Sequence, residues 1–102
     1  MTENIVNKTV AVGTTSVIIS PTIQAPSVRK LITITNTSTA AQLITISFGT
    51  TVAAPGAGIV IYPAGSWSES LDSKFTPSQE QITVIASAIN GAVGVHERIE
   101  TV

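Results

Sequence analysis

Chemistry in this chain would have to be built from few residues. His96 is the sole histidine and Asp72 the sole aspartate, so a Ser-His-Asp triad would need both, and no nucleophile-elbow motif surrounds any serine. A metal centre needs three or four ligands. His96-Glu97 offers two, on adjacent residues whose side chains leave opposite faces of a strand, and cysteine is absent. Gly56-Ala57-Gly58 shares its composition with phosphate-cradling loops, but no helix follows to present backbone N–H groups, so it reads as a turn. Tyr62 and Trp67 flank a proline-glycine turn and offer a sugar-stacking platform. In a chain with one Trp, one Tyr and two Phe, Trp67 is better used as core or interface, because aromatic rings supply the largest apolar areas. The expectation is a non-enzymatic protein with no catalytic, cofactor or metal site and no small-molecule ligand.

These residues must be positioned by strands. In residues 29–49, Ile32 and Ile34 alternate with Thr33 and Thr35, and Ile44, Ile46 and Phe48 alternate with Thr45 and Ser47. A period of two places β-branched residues on one face and hydroxyls on the other. With the small polar residues 36–41 as a turn, the stretch predicts a hairpin whose apolar side is buried. Thr33, Thr35, Thr45 and Ser47 then form one outward hydroxyl face. Arg29, Lys30, His96, Glu97 and Arg98 are expected near strand ends as solvated charges, with Arg29, Lys30 and Trp67 as rim or interface contacts.

Taken in order, residues 6–12 alternate, Gly13-Thr14-Thr15 breaks them, and residues 17–20 form a second strand. Pro21 and Pro26 bracket an irregular connection, since proline cannot donate to a ladder. Beyond the hairpin, residues 50–58 form a loop, 59–62 a strand stopped by Pro63-Ala64-Gly65, and 66–71 another strand. Residues 72–81 form a long loop with one helical turn over 78–81. Residues 82–88 and 92–99 make a last hairpin through Asn90-Gly91, a pair that favours positive φ. About eight short strands without a 3.6-residue apolar period indicate a small all-β antiparallel sandwich, jelly-roll-like, with a small closed barrel as the alternative.

A length of 102 residues allows one domain with a modest core. Net charge is −1 with five Lys plus Arg, which lacks the basic footprint of a nucleic-acid or anionic-membrane binder. The amino-terminal residues hold no sustained apolar run, so no signal peptide is expected, and Pro and Gly interrupt every candidate span. The charges are unevenly placed: residues 31–68 carry none. Exposed strands usually carry Lys and Glu against edge-to-edge pairing, whereas interface centres are depleted of charge. The expectation is a homo-oligomer.

One resemblance bears on this. Arg29-Lys30-Leu31-Ile32-Thr33-Ile34-Thr35-Asn36-Thr37-Ser38, Ile46-Ser47-Phe48-Gly49, Gly58-Ile59-Val60-Ile61-Tyr62-Pro63-Ala64-Gly65, Ile82-Thr83-Val84-Ile85-Ala86-Ser87 and Val93-Gly94-Val95-His96-Glu97-Arg98 resemble strands of small tailed-phage and related viral structural proteins. Ala64 departs from that pattern, which carries glycine there. The resemblance spans residues 29–98. It implies a virion component, a capsid decoration, vertex or accessory protein, assembled in the host cytoplasm from copies of itself and other capsid proteins. Residues 1–28 lie outside it and supply strands or an arm to a neighbouring subunit, with 29–102 as the sandwich body. The alternative is a carbohydrate- or surface-binding module built on Tyr62 and Trp67.

Overall fold

Alternation becomes strand wherever the sequence shows it. The computed structural model describes residues 2–50, 52–72 and 74–101; Thr51 and Ser73, within the two predicted loops, lie outside the described residues. The strands are β1 (Thr2–Val12), β2 (Val17–Ser20), β3 (Ser27–Asn36), β4 (Ile44–Phe48), β5 (Ile59–Ile61), β6 (Ser66–Ser70), β7 (Ile82–Ala86) and β8 (Gly91–Thr101). Among the described residues there is no helix, so the turn expected over 78–81 is irregular chain.

The strands form two antiparallel four-stranded sheets, the first ordered β1-β8-β3-β6 and the second β2-β7-β4-β5. This is the jelly-roll arrangement of a sandwich. Within the first 28 residues, β1 joins the first sheet and β2 the second, and Ser27 and Val28 already begin β3. Β-branched side chains fill the space between the sheets: Ile32, Ile34, Val93 and Val95 from the first meet Ile44, Ile46, Ile82 and Val84 from the second, all buried. Each such burial is worth roughly 1.5–3 kcal/mol.

Two predicted hairpins are corrected. β3 and β4 do not pair; they lie in opposite sheets, and their isoleucines meet face to face across the core. β7 and β8 are separated in the same way. Among sequence neighbours only β4 and β5 share a sheet.

The corner after β3 explains the Asn36-Thr37-Ser38 motif. Asn36 is fully buried, and its side-chain Nδ2 donates to the carbonyls of Gln42 (2.9 Å) and Ile61 (3.0 Å) while its Oδ1 accepts from the Ser38 N–H (3.0 Å). The Ser38 hydroxyl also accepts the N–H of Ala92 at 3.0 Å. One amide thus ties the end of the first sheet to the second sheet.

A turn over residues 62–65 leads into β6, closed by the Gly65 N–H donating to the Tyr62 carbonyl at 2.8 Å. Ala64 holds a φ of 66° there, a left-handed conformation that costs an L-residue about 1–2 kcal/mol. Ala64→Gly should therefore raise stability by about 0.5 kcal/mol, relieved strain exceeding the added freedom of the unfolded chain. A thermal melt that places the variant below the parent would contradict this.

Candidate assembly surface

Register and pleat set what the outer face of the first sheet presents. Because Ile32 and Ile34 point inward, Leu31, Thr33 and Thr35 point outward, and the cross-strand partners carry the pattern over the sheet. Across β6, β3, β8 and β1 the rows read Ser70, Leu31, Arg98, Ile5, then Ser68, Thr33, His96, Asn7, then Ser66, Thr35, Gly94, Thr9. Over these three rows the half contributed by β6 and β3 has no charge and five hydroxyls. Gly94 lacks a side chain, and a shallow depression of about 430 Å³ lies over it, bordered by Thr9, Thr35 and His96.

The charged groups gather on β8 and β1 and at the start of β3, where Lys30 precedes these rows. His96 Nδ1 meets Asn7 Oδ1 at 2.6 Å, and Arg98 Nε donates to His96 Nε2 at 3.3 Å, which assigns the imidazole proton to Nδ1. Arg98 also faces Glu3 at 3.4 Å, both exposed, a pair of small energetic weight. Lys30 meets Glu100 at 2.9 Å; that hydrogen bond and the carboxylate's charge raise the Lys30 pKa above its usual 10.5.

The four expected hydroxyls do not form one face. Thr33 and Thr35 lie half-buried on the outside of the first sheet, while Thr45 and Ser47 belong to the second. Thr45 is buried, which corrects its assignment as an outward contact. The cause is the chain's own loop: Thr45 Oγ1 accepts the N–H of Gly56 (3.0 Å), and Thr83 Oγ1 accepts that of Ala53 (2.9 Å). Hydroxyls on this side fasten residues 53–56 over the second sheet. Trp67 points inward and packs on Phe48, ring centroids 5.2 Å apart at 60°. Tyr62 is exposed at the end of β5, so the two rings do not form a stacking platform.

The largest departure concerns Arg29 and Glu97, expected as solvated charges and found buried, at 0% and 2% exposure. Arg29 Nε donates to Glu97 Oε2 at 2.6 Å. Its Nη2 donates to Ser20 Oγ (2.6 Å) and the Pro21 carbonyl (3.1 Å), and its Nη1 to the carbonyls of Ser78 and Glu80. All five guanidinium N–H groups are thereby used. The Ser20 hydroxyl donates in turn to Glu97 Oε2 at 2.7 Å. Gln79 closes the arrangement, accepting the Arg29 N–H at 2.7 Å and donating to its carbonyl at 3.0 Å. The charges link β3, β8, β2 and the 77–81 loop. They are structural, and Arg29 is no rim contact.

His96 bonds Asn7, and Asp72 Oδ1 accepts the Lys74 N–H at 2.8 Å, so neither orients the other. Among the described residues no group of three or more His, Cys, Asp or Glu is placed to hold a metal.

No family model and no curated protein matches the chain. Among solved structures, a protein of Bacillus endospore appendages, which form a family of disulfide-linked pili, superposes with a TM-score of 0.57 at 16% identity over 99% of this chain and 88% of that one. The Tobacco streak virus coat protein superposes with a TM-score of 0.41 at 11% identity over 93% of this chain and 85% of that one. The first likeness is one of fold.

Proposed function

We propose that this chain is a non-enzymatic structural protein that works by assembly, as a capsid decoration, vertex or accessory component of a virus particle. The observation that carries the reading is the outer face of the first sheet, where Ser66, Ser68 and Ser70 of β6 and Thr33 and Thr35 of β3 form a patch without a charge, Lys30 lying beyond it at the start of β3. Interface centres exclude Lys, Glu and Asp because desolvating an unpaired charge is costly. Hydroxyls on a flat sheet keep such a face soluble until a partner covers it. The strand motifs of residues 29–98 support the viral assignment by resemblance, and the jelly roll supports it by fold-level analogy alone. The pilus protein of similar fold belongs to disulfide-linked appendages. This chain has no cysteine, so contacts between its copies are not disulfide-linked.

The test places charge on the face without touching the core. Ser66→Lys with Ser68→Lys, both exposed, should change stability by no more than about 1 kcal/mol, since each exposed substitution costs about 0.5 kcal/mol or less. Binding to particles purified from the source, read by co-sedimentation and negative-stain imaging, should be lost. A variant that still binds particles like the parent would show that this face is solvated surface.

A further inference from the structure

We infer that the free edge of β1 is a seam between two copies of this chain, joined antiparallel about a twofold axis at Ile5. The inference rests on the assembly reading above and names the subunit contact. Each sheet has two edges, and three of the four are protected. β5 and β2 have 3 and 4 residues, and β6 has 5. The register of β2 against β7 shifts between Ile18 and Ser20, and Pro21 follows it. Short length, bulges and proline are the devices that blunt an edge. β1 has none of these three: it is 11 residues long, without proline, and paired to β8 from Thr2 to Val12 without a register shift, and its charged residues, Glu3 and Lys8, fall opposite neutral ones when the strand pairs with its own copy. Such an edge is a template for a further strand.

The strand is complementary to itself. In an antiparallel pair, residues directly opposite share a face, so a twofold axis at Ile5 sets Ile5 against its copy, Glu3 against the copy's Asn7, and Lys8 against the copy's Thr2. No like charges oppose one another. Ile5, which is 48% exposed on the outer face, would be covered by its own copy. The two first sheets would then continue as one sheet, bringing the uncharged faces of both copies to the same side. A second copy is favoured over an unrelated peptide because the edge, paired with its own reverse, sets Ile5 on Ile5 and places neither charge against a like one.

The experiment uses charge reversal at the axis. The parent should have a solution mass that is an even multiple of the monomer by light scattering at micromolar concentration. Ile5→Lys and Ile5→Glu should each halve that mass, because like charges directly opposite weaken association by roughly tenfold or more. An equimolar mixture of the two variants should restore it. An oligomeric parent whose mass survives Ile5→Lys, or a mixture that stays dissociated, overturns the seam and leaves the assembly reading standing. A parent that is monomeric on concentrating overturns the assembly reading itself. If Ile5→Lys loses its β-sheet circular dichroism, single cysteines in this cysteine-free chain decide the matter. Ile5→Cys should crosslink under mild oxidation and Thr9→Cys, away from the axis, should not; equal crosslinking or none overturns the seam.

Discussion

Arg29→Ala should lower the unfolding free energy by about 3 to 5 kcal/mol, the cost of leaving a buried charge without its partner. The substitution strands the Glu97 carboxylate between the sheets and removes the donors to the carbonyls of Pro21, Ser78 and Glu80. With total stabilities of about 5–15 kcal/mol for domains of this kind, that is a large share. Arg29→Lys should recover little, since one ammonium cannot reproduce five donors in a planar fork. Arg29→Met with Glu97→Leu should lie much nearer the parent, because removing both charges removes the penalty of burying either. Urea midpoints at unchanged slope would measure all three. Arg29→Ala within 1 kcal/mol of the parent would mean that water reaches Glu97 and the pair carries little.

Asn36→Ala is the second large effect expected, about 3 kcal/mol. The amide serves three backbone groups at once, the carbonyls of Gln42 and Ile61 and the N–H of Ser38, at a fully buried corner. Each buried polar group left unpaired costs about 1–3 kcal/mol, and partial relaxation keeps the total below the sum. Denaturant melts should show the loss, and Trp67 fluorescence would report whether the nearby ends of β5 and β6 loosen with it. A loss under 1 kcal/mol would show that the corner is held by Ser38 and Ala92 instead.

How far each element could be read from the sequence follows from what a period of two encodes. It states which face a side chain takes, and Ile32, Ile34, Ile44 and Ile46 all point inward as alternation requires. It does not state which strand lies alongside. The connection from Asn36 to Ile44 is long enough for either a hairpin or a step to a sheet packed about 10 Å away. The buried amide of Asn36 selects the step, and nothing in the local sequence marks that amide as buried. Arg29 failed for a different reason. Counted back from Ile32 it falls on the outward parity, but β3 shifts register against β8 between Arg29 and Leu31, and the bulge turns Arg29 inward. Glu97 was misread although its parity was available: it continues the inward series of Val93 and Val95, and a carboxylate on that side demands a cation. The hydroxyl face was half legible. Thr33 and Thr35 are outward as expected, while Thr45 lies beneath a loop whose hydrogen bonds depend on tertiary placement.

The reach of the Arg29 side chain has a consequence for the time course of folding. Its partners lie 68 residues away at Glu97 and 49 and 51 residues away at Ser78 and Glu80. Closing such long loops is entropically costly before any contact repays it, so sheets built from distant segments assemble slowly. A bond among four segments forms only after all four have arrived, on the native side of the rate-limiting barrier. Interactions that form after the barrier govern how fast the native state opens and leave the forward rate nearly unchanged. Read by stopped-flow fluorescence, the Arg29→Ala loss should appear as faster unfolding at nearly constant refolding rate. Slower refolding would instead place the ion pair in the nucleus. In the first case Arg29 and Glu97 act as a latch, setting how long the domain stays closed once it has folded.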